Sequence, residues 1–283
     1  MRLKIGARLF DGPGPFLMGV VNATPDSFSD GGRFLAADAA VERALRLADE
    51  GADLVDLGGE STRPGAPPVP ADEEIRRVVP VVERLRARGF PLPISVDTSK
   101  GAVARAALAA GADLVNDVTG IRDPDLGRAA AEARAPVVLM HGRGTPADMA
   151  SRAVYGDVVA EVAAELSEAL ARAAAAGIPA DATILDPGIG FAKTAEQSVV
   201  VLARVGELRR LGRPLLVGPS RKSFIGKLTG APVEDRLAGT LAAVVQCVLA
   251  GVELLRVHDV AAARQAALVA AAIRDAAAPP GSR

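Results

Sequence analysis

Short runs of Val, Ile and Leu alternate along the chain with longer, Ala-rich stretches. Eight runs have strand character: FLMGVVN, DLVDLGG, PISVDTS, DLVNDVT, PVVLMH, TILDPG, PLLVG and ELLRVH. They are apolar nearly throughout, not at every second position, which is the pattern of parallel strands covered on both faces. Between them lie stretches with helical spacing, such as AADAAVERALRLADEGA, ADEEIRRVVPVVERLRARG and YGDVVAEVAAELSEALARAAAAG. Gly51, Gly89, Gly111, Gly177 and Gly251 stand where these helices should stop and turn into the next strand. Eight strand–helix units in 283 residues predict an α/β fold, a (β/α)8 TIM barrel of one domain, with a frayed tail at about 277–283. A doubly wound open sheet is the alternative. It would show a Gly-rich dinucleotide turn after its first strand, and DGPGPF is no such turn.

Active groups of such barrels sit at the C-terminal ends of the strands. Asn22 ends the first run. Asp56 and Glu60 end the second, and Ser61, Thr62 and Arg63 follow. Asp97 ends the third, Asn116 and Asp117 the fourth, His141 the fifth and Asp186 the sixth. Ser220, Arg221, Lys222 and Ser223 follow the seventh, and Arg256 and His258 end the eighth. Each residue alone has a plainer reading. A strand-end Asp is more often a turn or helix cap; His258 alone suits a satisfied core imidazole, the basic run a solvated face, and Phe28 a surface residue. Those readings have to be invoked separately at every strand and always on the same rim. A shared site accounts for them together. The opposite strand ends carry mostly Gly, Pro and Asp, and call for no more than turn chemistry.

Composition narrows the chemistry. Hydrophobic residues make up 49% of the chain but aromatics only 3%, with no Trp, so the core must be aliphatic. A formal net charge of −1 argues against a general nucleic-acid or membrane-surface binder, while leaving room for a local basic pocket. Cys247 is the only cysteine, which rules out an internal disulfide and suits a reducing, cytoplasmic setting. It reads as a buried structural thiol. MRLKIGARLF lacks the apolar core and cleavage site of a signal peptide. LAGTLAAVVQCVLAGVELL is broken by Thr240, Gln246, Gly251 and Glu253, and reads as a buried helix followed by a strand. Two histidines and no CxxC argue against zinc chemistry, and there is no G-x-S-x-G elbow.

The rim then offers two kinds of group. Asp97, Asn116 and Asp186, near Val118, Met140 and Phe191, suit a flat heterocycle with several N–H donors and a carbonyl. Lys222 is a donor to that ring. Arg63, Arg221, Lys222, Arg256 and His258 form a cationic side, because the eighth strand closes against the first. Loops after strands seven and eight often bind phosphate in this fold, and GPSRKS, from Gly218 on, adds helix N-terminal amides. Asn22 offers an amide oxygen for Mg2+ accompanying a phosphate group. A flat heterocycle joined to a polyanion is the substrate these groups imply.

Taken in order, NATPDSFSDGG, DLGGESTRPGA, SVDTSK, NDVTG, MHGRGTP, LDPGIGFAKT, GPSRKSFIG and RVHDV resemble the bacterial dihydropteroate synthases over about residues 16–260. The resemblance implies the joining of 6-hydroxymethyl-7,8-dihydropterin diphosphate to 4-aminobenzoate in folate synthesis, a sulfonamide-sensitive step run by homodimers that use Mg2+. It implies a pterin pocket of Asp97, Asn116, Asp186 and Lys222, with Arg256 on the ring and Val118, Met140, Phe191 and Gly218 lining it. Diphosphate would meet Asn22, Arg63, Arg256 and His258, with Asn22 also on Mg2+. Aminobenzoate would sit between Phe28, Pro64, Phe191, Lys222 and Ser223, under Thr62, and Asp30 would face the reacting carbon. The chain departs from the family pattern at Ala192, at Gly142-Arg143 and at Ser198, none of them a matched functional residue. Two other readings stay open: a methyltetrahydrofolate-dependent methyltransferase of the same barrel, and a non-catalytic pterin-binding paralogue.

Overall fold

A computed structural model describes residues 2–23, 32–61 and 65–277. A hairpin of β1 (Arg2–Ile5) and β2 (Arg8–Asp11) comes first. Eight strands follow: β3 (Phe16–Asn22), β4 (Leu54–Gly58), β5 (Ile94–Asp97), β6 (Leu114–Asp117), β7 (Val137–Met140), β8 (Thr183–Asp186), β9 (Leu216–Val217) and β10 (Leu254–Val257). All pair in parallel, in the order β8-β7-β6-β5-β4-β3-β10-β9. A parallel bridge between Leu185 and Leu215, with Leu185 N donating to Pro214 O at 2.9 Å, joins the two end strands and closes the barrel. The eight expected strands are present. The hairpin was not expected, because four alternating residues on each side of a glycine are too short a signal.

Helices α1 (Gly32–Asp49), α2 (Ala71–Ala87), α3 (Gly101–Ala109), α4 (Pro124–Ala133), α5 (Val158–Ala175), α6 (Ala195–Ala203), α7 (Ser223–Thr229), α8 (Leu237–Leu249) and α9 (Val260–Ala277) surround the barrel. Local chemistry starts several of them. Asp157 accepts from Val159 N and Ala160 N at the head of α5, and Thr194 with Gln197 forms a capping box on α6. The five glycines expected to stop helices all have positive φ. The segment read as a helix and a strand is α8 and β10. Among the described residues no helix is long and apolar enough to cross a membrane. Cys247 is buried on α8, and burial pushes its thiol up to about 12. Of the tail, residues 278–283 lie outside the described residues.

Why the strands are apolar on both faces is clear from their packing. Leu17, Val55, Leu57, Val96, Val115 and Val217 point outward into the layer shared with the helices. Met18, Leu54, Leu114, Val138, Ile184, Leu216 and Leu254 point inward and pack with Leu3, Ile5 and Phe10 of the hairpin, which plugs the N-terminal end. Two residues further along the same strands, side chains return to the inward face. There the layer is Val20, Asp56, Asn116, Met140, Asp186, Gly218 and Arg256, in which polar side chains replace most of the aliphatic ones.

The acids at the strand starts do more than make turns. Asp53 accepts from Leu17 N, Asp113 from Ile94 N and Glu253 from Leu215 N, at 2.8–2.9 Å, each tying its own strand to its neighbour. Each also pairs with arginine: Arg8 and Arg264, Arg86, and Arg209 respectively.

Candidate active site

The inward layer at the C-terminal end of the barrel is organised by one carboxylate. Asp56 on β4 is fully buried. Its Oδ1 accepts from Ser95 Oγ at 2.6 Å, and its Oδ2 accepts both from Asn116 Nδ2 at 3.0 Å and from Arg256 Nε at 2.6 Å. An amide whose nitrogen faces a carboxylate must turn its oxygen the other way. Asn116 therefore offers an acceptor to the space above it.

That space is a narrow cavity at the C-terminal mouth of the barrel. Asp97, Asn116, Asp186, Lys222 and Arg256 supply its polar lining, and Val118, Met140, Ile189, Phe191 and Gly218 the rest. Arg256 spans two carboxylates, since its Nη2 donates to Asp97 Oδ2 at 2.8 Å while Nε holds Asp56. The other oxygen of Asp97 is buried with no hydrogen-bond partner. Such an orphaned acceptor is costly unless a ligand satisfies it. Burial raises the Asp97 carboxyl above the ordinary range; Arg256 opposes that, and Asp56 and Glu74 add to it. Asp186 is raised to about 6, again by burial, against Gly188 N, Lys222 and Arg256. Its Oδ1 accepts from Gly188 N at 2.7 Å. Position 188 must be glycine: φ is +67°, and a Cβ there would lie 1.9 Å from His141 O.

The cationic groups flank this cavity. Lys222 Nζ lies 4.2 Å from the centre of the Phe191 ring. His258 follows Arg256 by two residues. Its backbone N–H donates to Ser220 Oγ at 3.2 Å, and its ring Nδ1 lies 2.9 Å from the same hydroxyl, which fixes the plane of the ring. Burial, helped by Arg256 and Arg221, lowers the imidazole to about 4, so it is neutral. Ser223 opens α7, exposed and next to Lys222. Arg221 departs from expectation: its guanidinium is bound by Asp259 in a two-pronged pair at 2.6 and 3.0 Å, a structural contact.

Other strand-end groups prove structural as well. Asp117 accepts from Thr119 N, Thr119 Oγ1 and Ile121 N of its own turn. Glu60 accepts from Val69 N and from Lys100. His141 is held between Lys193 and Glu165. Asp56 was visible in the sequence as a strand-end acid, but nothing in its neighbours marks it as the group that sets the others. Phe28, Asp30, Thr62, Arg63 and Pro64 lie outside the described residues.

Asn22 ends β3, next to β10, with its side chain exposed. Among the described residues no group of three His, Cys, Asp or Glu side chains is arranged to hold a metal. The Asn22 side chain offers one hard amide oxygen. That fits Mg2+, which typically takes few protein ligands and completes its shell with phosphate oxygens and water.

The pterin binding enzyme family matches residues 18–258. A dihydropteroate synthase of Synechocystis sp. is 46% identical over 274 residues, covering 96% of this chain and 94% of that protein. The solved structure of the Xanthomonas albilineans dihydropteroate synthase with 4-aminobenzoic acid is similar at a TM-score of 0.90 and 50% identity, covering 98% of this chain and 99% of that one. The same enzyme in complex with 7,8-dihydropteroate is similar at 0.87 and 47%, covering 99% and 100%. Matches of this extent run through every element that builds the cavity, and the chain belongs to the pterin binding enzymes.

Proposed function

We propose that this chain joins 6-hydroxymethyl-7,8-dihydropterin diphosphate to 4-aminobenzoate, giving 7,8-dihydropteroate and diphosphate. The observation that carries the reading is one cavity in which buried acceptors, Asp97, Asn116 and Asp186, face the cations Lys222 and Arg256. It occurs in a chain whose similar structures hold 4-aminobenzoic acid and 7,8-dihydropteroate. The orphaned Asp97 oxygen, the Asn116 carbonyl and Asp186 accept the ring N–H groups, and Lys222 donates to a ring carbonyl or nitrogen. Arg256 packs its plane on the ring. Asp97 then exchanges part of its hold on Arg256 for the ring's own donors.

The difficult event is cleavage of the carbon–oxygen bond, whose electron pair leaves with diphosphate. The carbon is attached to an electron-rich dihydropterin, so the cation is delocalised and departure precedes attack. Donors fixed where charge develops lower that barrier. Arg256, His258 and Arg63 serve the leaving oxygens; Asp97 and Asp30 serve the cation. Mg2+, held by Asn22, would add Lewis-acid neutralisation of the diphosphate. The amine lone pair then forms the new carbon–nitrogen bond, and one N–H proton is lost to solvent. An aryl amine needs no strong base for this, and its positioning supplies the rest. Phe28, Thr62, Pro64, Phe191, Lys222 and Ser223 would frame it.

We read the enzyme as a cytoplasmic homodimer.

One assay decides the function. The chain is incubated with the pterin diphosphate, Mg2+ and aminobenzoate, and diphosphate is measured. Release that depends on aminobenzoate and yields dihydropteroate is expected. Binding without release would indicate a non-catalytic paralogue instead.

A further inference from the structure

Lys193 is buried, lies two residues beyond Phe191 and does not line the cavity. Its Nζ donates to Gly188 O and to Phe191 O, each at 3.1 Å, and lies 2.8 Å from His141 Nδ1. On the far side of the imidazole, Nε2 is 3.1 Å from Glu165 Oε2 on α5. Arg143 holds Glu165 and lies over the Tyr155 ring at 3.9 Å, and the Tyr155 hydroxyl donates to Ala192 O at 2.9 Å. Two side chains thus fasten one turn by three carbonyls: Gly188 O and Phe191 O accept from Lys193, and Ala192 O accepts from Tyr155 in the loop before α5. Ala192 keeps a left-handed φ of +47°, which a non-glycine residue adopts only when its surroundings hold it there.

Proton accounting fixes the state of this network. Three acceptors around Nζ require three N–H groups, hence an ammonium. His141 then accepts at Nδ1, and its Nε2–H points at the Glu165 carboxylate. A neutral amine has one N–H too few, and a flipped imidazole tautomer would set a lone pair against Glu165. Burial lowers His141 to about 4, consistent with a neutral ring. Burial also lowers Lys193 to about 7; Arg143 and Lys222 lower it further, while Asp186 and Glu165 raise it. The ammonium is the state the contacts need and also the one burial opposes.

We propose that Lys193 is a positioning residue for the second substrate: through the Gly188 and Phe191 carbonyls it sets where the Phe191 ring stands beside Lys222, and so shapes the aminobenzoate slot. The proposal rests on the function proposed above for that slot.

Lys193→Met keeps the length of the side chain and removes its donors. It should raise the KM for aminobenzoate about tenfold or more and the KM for the pterin diphosphate less than about threefold, since sub-ångström misplacement of one wall is felt by the group that touches it. Combined with Phe191→Leu, the effects should fall well short of additive, because both act on one ring. The aminobenzoate KM of the parent chain should rise as pH passes about 7, and this inflection should vanish in Lys193→Met. Equal effects on both substrates, or additive ones, would overturn the proposal.

Amide exchange across residues 188–192 gives a readout that needs no turnover. Phe191 N donates to Gly188 O at 3.1 Å, and this turn should exchange faster in Lys193→Met at unchanged global protection. Unchanged exchange overturns the clamp. A parent chain that makes no dihydropteroate overturns the function, and with it the slot, while the exchange comparison still decides the clamp. If Lys193→Met does not fold, Tyr155→Phe removes only the hydroxyl on Ala192 O and should move the same quantities by less.

Discussion

Asp56 does not line the cavity, yet its two oxygens hold three groups of the inward layer. One of them gives the Asn116 amide its direction; another anchors the cation that faces Asp97. Asp56→Asn keeps the volume and removes the charge, so Asn116 is free to reverse and Arg256 keeps only Asp97. The expected result is a loss of about 10²-fold in kcat/KM for the pterin diphosphate, the scale of a misplaced reacting group, with little change in the aminobenzoate KM. Steady-state kinetics within threefold of the parent would remove Asp56 from this role. The acids on the cavity itself predict a pH dependence. Burial raises Asp186 to about 6, and only its ionised form is a full acceptor for ring N–H groups. Pterin binding should therefore release protons near pH 6 and weaken below it; calorimetric titration in two buffers of different ionisation enthalpy reads this directly. Proton uptake would contradict it. The same shift acts on folding. Protonated Asp186 favours the empty folded state, a contribution complete below the unfolded value near 4 and lost as pH rises through about 6.

At the scale of elements, the second loop is closed at its base by charges. Lys100, just after β5, donates to Glu60 at the end of β4 and to Glu74 on α2, while Glu60 also accepts from Val69 N. Glu74 is fully buried, and its second oxygen has no partner. Lys100→Met leaves that carboxylate without its counter-charge, and should cost about 3–5 kcal/mol of unfolding free energy. Glu60→Gln, which keeps an acceptor for Val69 N, should cost much less; denaturant unfolding of both variants compares them. The strands themselves were legible because apolar runs capped by a polar residue recur eight times, and so were Asp97, Asn116 and Asp186, which stand at those caps. Their sorting was not. Asp117, Glu60 and Arg221 look the same in sequence, and only three-dimensional partners turn them to structural use: a turn of backbone N–H groups, Lys100, and Asp259. Lys193 was hidden for the same reason, since His141, the side chain it meets, stands just after β7, far from it in sequence.

Across the whole molecule the two ends of the barrel divide the labour. The C-terminal end carries, in its inward layer, Asp, Asn and Arg side chains whose desolvation is unfavourable, with an orphaned oxygen at Asp97. The N-terminal end carries an inward layer of Met, Leu, Ile and Val sealed by the hairpin, and its edges are tied by Asp53, Asp113 and Glu253. Burial at one end offsets the strain held at the other, as expected where active groups sit on strand C-termini and stability resides below. Phe10 is the test of that division. It is 1% exposed, packs edge-on against Phe16 with ring centres 5.1 Å apart, and belongs to the inward cluster below the polar layer. Phe10→Ala should lower the unfolding free energy by about 3–5 kcal/mol, through lost transfer energy and the void left behind. Both Michaelis constants should stay within about twofold of the parent at a temperature where the variant is folded, because the aliphatic layer between Phe10 and Asp56 is close-packed and does not line the cavity. A matching loss of pterin affinity would mean that the plug also sets the shape of the site, and that the two ends are coupled through the barrel.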